Sequence, residues 1–199
     1  MTGLTTLAQA LGIAYASGIS PYATVAMLGL AARAGWVGPL PGGLDVLASP
    51  WIVGLAAALW AVEFAATLVP WVASAWETTQ SAIRPPAAAL LAMLTAWGGS
   101  PALVAAAVIL GGGLGLVTHG TKLGVRYAVD TSPEPVTNGI ANVAEASVVA
   151  ALVLFVWQHP WVSLTLAIAL LVALVLLLRL AWRTLARVVR PRGFGRPTG

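Results

Sequence analysis

Long apolar segments alternate with short polar ones along this chain, and that alternation already predicts its architecture. A hydrocarbon core about 30 Å thick needs roughly 20 apolar residues in each helix that crosses it. Six segments approach this length: 4–34, 50–70, 85–98, 101–120, 137–157 and 160–182. The pattern therefore predicts an all-α fold, an integral membrane helical bundle with about six transmembrane helices.

The first apolar segment is interrupted at residues 17–21, where the sequence reads Ser-Gly-Ile-Ser-Pro. The segment is either one kinked helix or a re-entrant hairpin that reverses at Ser20 and Pro21. Another Ser-Pro step occurs at Ser132 and Pro133. We expect broken or re-entrant helices at both steps, and the pattern leaves the two alternatives open.

The Ser-Pro steps at residues 20–21 and 132–133 belong to a predicted internal repeat. An offset of 112 residues aligns Gly12, Tyr15, Ala16, Ser20 and Pro21 with Gly124, Tyr127, Ala128, Ser132 and Pro133, and an offset of 110 aligns Pro50-Trp51 with Pro160-Trp161. The repeat units would be residues 4–71 and 116–183. In transporters, matching interruptions in two halves point to a binding site. The alternative is that each proline simply starts a helix, since proline suits a first helical turn.

Composition narrows the class of protein. Only 8% of the residues are charged, against about 25% in soluble domains, and the mean hydropathy is +0.91. These values exclude a soluble enzyme, a disordered chain and a nucleic-acid-binding domain. The lipid bilayer is the expected partner, and a homo-oligomer is possible.

The basic residues predict the orientation. Six of the ten follow residue 178: Arg179, Arg183, Arg187, Arg190, Arg192 and Arg196. We expect a single transmembrane domain over residues 1–183, followed at 184–199 by an Arg-rich cytoplasmic tail that binds anionic lipid head groups. The loops expected at 35–49, 98–100 and 158–160 contain no Lys or Arg, so the positive-inside rule places them outside. The prediction is a multi-pass protein of the inner (plasma) membrane with both termini in the cytoplasm, in which Arg84, Lys122 and Arg126 lie in cytoplasmic loops.

Catalytic and metal-binding signatures are absent from the sequence. There is no cysteine, and the two histidines are 40 residues apart, so neither a metal site nor a cofactor is expected. No zinc-protease, phosphate-loop, hydrolase-elbow or dinucleotide-binding motif occurs. The sequence does not predict an enzyme.

Glu63 is the clearest ionisable residue within an apolar segment, and such residues are costly in a membrane. It is either a protonated side chain hydrogen-bonded to a neighbouring helix or a carrier of ions or protons.

Two polar stripes follow helical spacing. Asn138, Asn142 and Glu145 share one helix face, which Glu134 extends backwards, and His119, Lys122, Arg126 and Asp130 share another. If the connection at 130–135 folds these faces together, a cationic stripe meets an amide and carboxylate stripe and lines a polar cavity. The alternative for Lys122 to Glu134 is a solvated cytoplasmic loop.

Several motifs resemble one family. They are residues 12–22 (Gly-Ile-Ala-Tyr-Ala-Ser-Gly-Ile-Ser-Pro-Tyr), 28–33 (Leu-Gly-Leu-Ala-Ala-Arg), 47–51 (Leu-Ala-Ser-Pro-Trp), Glu63-Phe64 with Pro70-Trp71, 83–85 (Ile-Arg-Pro), and 132–138 (Ser-Pro-Glu-Pro-Val-Thr-Asn) with Glu145. The chain is similar in these motifs to the domain of unknown function 4126 family, a group of small bacterial multi-pass membrane proteins. The resemblance extends to about residue 185 and implies membership but no activity.

Three functions are compatible with these patterns. The first is a transporter or channel-like protein for a small polar solute, an ion or a lipid head group, with Glu63 and the two stripes along its path. The second is a non-catalytic membrane scaffold or accessory subunit, whose polar stripes only hold helices together. An intramembrane enzyme acting on lipid ranks last, because no nucleophile and base pair is visible.

Overall fold

The structure, a computed structural model, describes residues 2–130 and 135–189. These residues form eight α-helices and one short 3-10 helix (Leu44–Ala48), with no β-strand among them. The α-helices are α1 (Gly3–Ile19), α2 (Pro21–Arg33), α3 (Pro50–Ala66), α4 (Pro70–Gln80), α5 (Arg84–Ala96), α6 (Pro101–Asp130), α7 (Pro135–Gln158) and α8 (Pro160–Val189). The all-α prediction is confirmed.

Prolines fix the starts of most helices. Six of the eight begin at a proline, and α5 has Pro85 at its second position. A residue in the first helical turn has no intrahelical partner for its N–H, so proline loses nothing there and supplies a suitable φ. Pro21 is one of these helix starts, which gives the break at Ser20 a local explanation.

Helix α1 lies at the centre of the bundle. Almost every residue from Ala8 to Ile19 is buried, and α1 packs against α5, α6, α7 and α8. Ile13 joins Leu28, Leu91 and Val149 in the main apolar cluster. Burial of each such side chain is worth roughly 1.5–3 kcal/mol, so this cluster holds α1, α2, α5 and α7 together.

Helices α1 and α2 form a hairpin that reverses at Ser20. A Cβ added to Gly3 would lie 3.9 Å from Leu103 at the start of α6. After α2, the N–H of Gly43 donates to the carbonyl of Leu94 near the end of α5, at 2.8 Å. The start of α1 and the loop after α2 therefore lie at the same end of the bundle, beside the turn at residues 97–100. We call this the loop end, and the opposite end, which contains Ser20, the hinge end.

The hairpin sets the directions of the other helices. At the hinge end of α1, a Cβ added to Gly18 would lie 2.7 Å from the Thr118 Cβ, so α6 runs in the same direction as α1. Helix α8 also runs this way, since Ser163 near its start would lie 3.3 Å from a Cβ added to Gly12, while Leu170 further along lines a groove with Ile19 at the hinge end. The start of α1 and the far end of α8 thus lie at opposite ends of the bundle. This differs from the expectation that both termini share one side, and follows from the hairpin alternative.

Among the described residues, two helical segments are long and apolar enough to cross a membrane, Pro101–Tyr127 and Val136–Gln158. Two further apolar stretches are shorter, Pro50–Ala66 and Pro160–Ala173. Six crossings remain a prediction. The repeat units 4–71 and 116–183 also remain predictions, because Ser132, Pro133 and Glu134 lie outside the described residues, as does the tail from residue 190 onward.

Helix α6 continues to Asp130, two turns beyond Lys122. The alternative of a solvated loop from Lys122 onward is therefore wrong for residues 122–130, where Lys122 and Arg126 are buried. Toward the loop end, α6 packs tightly on α5: a Cβ added to Gly111 would lie 2.5 Å from the Ala92 Cβ, and one added to Gly115 would lie 2.4 Å from the Ala88 Cβ. The small residues allow the two backbones to approach closely.

Candidate functional site

Six charged side chains meet at the hinge end, and we call them the ion-pair network. They are the carboxylates of Glu63, Glu77 and Glu145 and the cations of Arg84, Lys122 and Arg126. Five of them are almost completely buried, and the side chain of Glu145 is 24% exposed. Three negative and three positive charges balance, so the network as a whole carries no net charge.

Arg84 connects helices α3, α4 and α5. Its Nη2 donates to Glu63 Oε1 at 2.5 Å and to Glu77 Oε1 at 3.1 Å, and its Nη1 donates to Glu77 Oε2 at 2.6 Å. The contact with Glu77 is bidentate, the arrangement in which a planar guanidinium binds a carboxylate most strongly. Arg84 is also the first residue of α5, where the helix dipole disfavours a cation. The two carboxylates offset that cost.

Burial favours a higher pKa for the Glu77 carboxyl, but the nearby cations of Lys122 and Arg84 outweigh it and hold that pKa below its usual value. Glu77 is therefore an anion that the two cations stabilise.

Lys122 links three helices to the break after α1. Its ammonium lies 3.0 Å from Glu77 Oε1, 2.9 Å from Glu145 Oε2 and 3.7 Å from Glu63 Oε1, and it donates to the carbonyl of Ile19 at 3.0 Å. That carbonyl is among the last of α1, which have no intrahelical donor. Lys122 therefore caps α1 while it neutralises carboxylates from α4 and α7.

Arg126 and Asn142 complete the network on the side of α7. Arg126 Nε lies 3.1 Å from Glu145 Oε1, and Arg126 Nη2 donates to Asn142 Oδ1. Asn142 Nδ2 donates to the carbonyl of Phe64 at 3.0 Å, and the Thr67 hydroxyl lies 3.1 Å from Asn142 Oδ1. These contacts hold the end of α3 against α7.

Ser20 joins the hinge to the network. Its Oγ accepts from the N–H of Ala23, which caps α2, and donates to Glu63 Oε2 at 2.5 Å. Both Glu63 oxygens thus accept hydrogen bonds, from Ser20 and from Arg84. Glu63 therefore links the turn after α1 to Arg84 of α5, and the two alternative roles of Glu63 remain predictions.

His119 borders the network in a defined tautomer. Arg84 Nη1 can only donate, so His119 Nδ1, 3.0 Å away, accepts. His119 Nε2 then carries the hydrogen and donates to Ser81 Oγ at 2.8 Å, while the Ser81 hydroxyl donates to the carbonyl of Glu77. The imidazole is neutral in this arrangement.

The structure therefore brings together most of the predicted site residues. Glu63, His119, Lys122, Arg126, Asn142 and Glu145 all lie in or beside the network. Asn138 is buried one turn before Asn142, and neither of its amide atoms has a partner among the described residues. Asp130 ends α6, but its side chain is not described, and Glu134 lies outside the described residues.

Sequence reasoning missed Glu77 and Arg84. The six-span count and the positive-inside rule predict that Arg84 lies in a cytoplasmic loop, yet it is completely buried. One signal in the sequence could have pointed to Glu77. The chain has only six acidic residues, so each of them is a candidate for a specific role. The partner of Glu77 could not be identified, because periodicity does not say which helix a face contacts.

A small cavity of about 10 Å³ adjoins the network, lined by Ser20, Glu63, Thr67, Asn142 and Glu145 among others. That is about the space one water needs. Among the described residues, no group of three or more His, Cys, Asp or Glu side chains is arranged to hold a metal.

These features define a class of protein. It is an all-helical bundle with apolar outer helices, built around a central helix and a neutral set of buried ion pairs. Within it, the chain belongs to the family described as Domain of unknown function (DUF4126), whose sequence model matches residues 7–180. The predicted family is confirmed. Neither a curated protein nor a solved structure gave a match.

Proposed function

We propose that this protein is a membrane transport protein for a small polar solute or an ion, and that the ion-pair network is its closed gate at the hinge end. The observation that carries the proposal is the position of the network, at the hinge end of a polar face of the central helix α1.

The membrane location is supported by the distribution of apolar surface. Within an 18-residue apolar stretch of each of the two long segments, only 28% and 22% of the residues are buried. The core helix of a soluble protein would be mostly buried, whereas these helices present their apolar side chains outward and enclose charged ones. Six tryptophans have exposed rings, as expected for side chains at a membrane interface: Trp36, Trp51, Trp71, Trp97, Trp161 and Trp182.

The network lies near one membrane interface. Lys122 is 21 residues after Pro101 in α6, and at 1.5 Å per residue this separation is about 30 Å, close to the hydrocarbon thickness. Arg179 and Arg183 are exposed toward the far end of α8, so the hinge end is cytoplasmic by the positive-inside rule. In this proposal the start of α1 lies outside and the Arg-rich tail lies inside.

A polar face on α1 leads from the loop end to the network. Thr6, Gln9, Ile13 and Ser17 have spacings of three, four and four residues and therefore share one side of the helix. Thr6 borders a cavity of about 510 Å³ at the loop end, and Ser17 is followed three residues later by Ser20, which donates to Glu63 of the network. Gln9 Oε1 and Ser17 Oγ are buried and have no partner among the described residues.

Such groups are costly when buried alone, and a passing polar solute would satisfy them. Ile13, packed in the main apolar cluster, interrupts the face between Gln9 and Ser17. The arrangement corresponds to an occluded path, closed by Ile13 in the middle and by the ion pairs at the hinge end.

Reconstitution in liposomes tests this function. The interior carries a pH-sensitive dye for protons, a cation-sensitive dye for Na⁺ and K⁺, or a quenching-concentration dye that reports swelling with neutral polar solutes. We expect a flux above that of empty liposomes for one of these classes. Glu145→Ala and Lys122→Ala should each change it by about tenfold, which corresponds to about 1.4 kcal/mol in the barrier.

The matched control is Asp45→Asn, which removes an exposed acid in the 3-10 helix and should leave the flux as it is in the unaltered protein. Transport is refuted if none of the solute classes crosses faster than in empty liposomes, or if the two network variants and the control give equal rates.

A membrane scaffold is the second candidate, and a specific observation favours it: every charge of the network is already paired. A scaffold needs no opening of these pairs. It predicts that Glu63→Gln and Glu145→Gln preserve a stoichiometric partner that copurifies with the unaltered protein, with no solute flux in either case.

A further inference from the structure

An apolar groove opens on the side of the bundle between α6 and α7. Its volume is about 320 Å³. Tyr15 and Ile19 of the central helix lie in it, with Val117 and Val125 of α6 on one side and Val148 of α7 on the other. Val125 and Val148 are exposed, so the groove is open toward the bilayer if the helices cross one.

Two charged side chains interrupt the apolar lining of the groove. Lys122 and Glu145 line it at the level of the network, Val117, Val148 and Leu170 lie nearer the membrane centre, and Val125 and Ala141 lie about one turn further toward the hinge end. The part nearer the membrane centre suits the acyl chains of a phospholipid of the cytoplasmic leaflet, whose head group lies at the interface beside the charged residues.

The two charged residues are not equally accessible. The Lys122 side chain is 5% exposed and that of Glu145 is 24% exposed. Each Glu145 oxygen has one cationic neighbour, Arg126 or Lys122, and a carboxylate oxygen can accept a second hydrogen bond. The charge that a ligand in the groove meets is therefore a carboxylate, which favours an ammonium group and repels an anionic head group.

We propose that this groove binds a phospholipid with a primary ammonium head group, the acyl chain between α6 and α7 and the ammonium against Glu145. The inference rests on the membrane location in the proposed function but not on transport. Phosphatidylethanolamine has the required N–H donors. Phosphatidylcholine has the same net charge without those donors, and phosphatidylglycerol is anionic.

Native mass spectrometry of the full chain, released from detergent with equal amounts of the three lipids, tests the proposal. We expect phosphatidylethanolamine to be retained about tenfold more than phosphatidylcholine, the effect of one charge-assisted hydrogen bond, and phosphatidylglycerol to be retained least. Val148→Trp fills the groove about one helical turn from Glu145, on the side nearer the membrane centre, and should abolish the preference. Val62→Trp, at an exposed valine of α3, should preserve it.

Glu145→Gln should remove the selectivity between the two zwitterionic lipids. If that variant does not fold, Val148→Trp and its control decide the question alone. Equal retention of phosphatidylethanolamine and phosphatidylcholine, a preference for phosphatidylglycerol, or a preference that survives Val148→Trp would each overturn the proposal. Because lipid retention is measured without flux, selective binding with no transport would leave this inference standing and refute only the transport function.

Discussion

At the scale of single residues, the network depends on side chains that cannot be replaced one at a time. Arg84 is completely buried and pairs with Glu63 and Glu77, so loss of its guanidinium leaves two carboxylates short of a cation. Removing one partner of a buried ion pair costs about 3–5 kcal/mol, mostly because the other charge remains buried.

Arg84→Ala should therefore lower the free energy of unfolding by about 3–5 kcal/mol, and Arg84→Lys by less, since it keeps the charge but not the bidentate geometry. Arg33→Ala is the control, because Arg33 is exposed and makes one hydrogen bond, to the carbonyl of Ala48. Equilibrium unfolding in mixed micelles measures all three. Equal losses for Arg84→Ala and Arg33→Ala would mean that the buried pairs do not form.

Ser20 offers a second test at this scale, because the chain contains a near-identical control. Ser20 and Ser49 are both N-cap residues that precede a proline, but only Ser20 makes a side-chain capping bond. Ser20→Ala should lower the free energy of unfolding by about 1–3 kcal/mol through the lost cap and the lost bond to Glu63, and Ser49→Ala by clearly less. Hydrogen exchange locates the effect, since amide exchange in the first turn of α2 should accelerate only in Ser20→Ala.

At the scale of helices, much of the pattern was visible in the sequence. Helix α2 begins at Pro21, where the sequence predicts a break, and α6 and α7 contain the apolar segments predicted to be helices. The stripe of His119, Lys122 and Arg126 does share a helix face, because a periodicity of 3.6 residues fixes which residues lie together. What periodicity does not fix is the opposing helix, so Glu77 of α4 could not be anticipated as the partner of Lys122.

Packing of α5 on α6 can be tested with two glycines of the same helix. A Cβ at Gly115 would lie 2.4 Å from the Ala88 Cβ, whereas a Cβ at Gly120 would meet nothing within 4 Å. Gly115→Ala should cost about 1–3 kcal/mol by overpacking, while Gly120→Ala should be neutral or stabilise by up to about 1 kcal/mol through helix propensity. Thermal unfolding in one detergent compares them, and a destabilised Gly120→Ala with an unaffected Gly115→Ala would contradict the described packing.

At the scale of the whole molecule, the hairpin of α1 and α2 decides the topology. Sequence alone left a kinked helix and a hairpin open, because a Ser-Pro step specifies a break but not the angle between the helices that it separates. The direction follows only from distant contacts, such as Gly3 with Leu103 and Gly43 with Leu94.

The absence of cysteine from the chain makes this topology directly measurable. Thr2→Cys and Gly38→Cys should both react with an impermeant maleimide added outside spheroplasts, while Ala82→Cys, exposed at the hinge end, should react only after permeabilisation. Protection of Thr2→Cys together with labelling of Gly38→Cys would contradict the hairpin. It would mean that residues 4–34 cross the membrane once, as one kinked helix.

The order of the network along the chain has a consequence for synthesis in the cell. Glu63, Glu77 and Arg84 are translated first and together carry one negative charge; Lys122, Arg126 and Glu145 follow and carry one positive charge. The charges of neither half balance on their own, so the first five helices carry one network carboxylate without a network cation until α6 is made. Nascent α1 to α5 would remain an assembly intermediate, and a truncated product lacking α6 and α7 would be a natural substrate for membrane quality control.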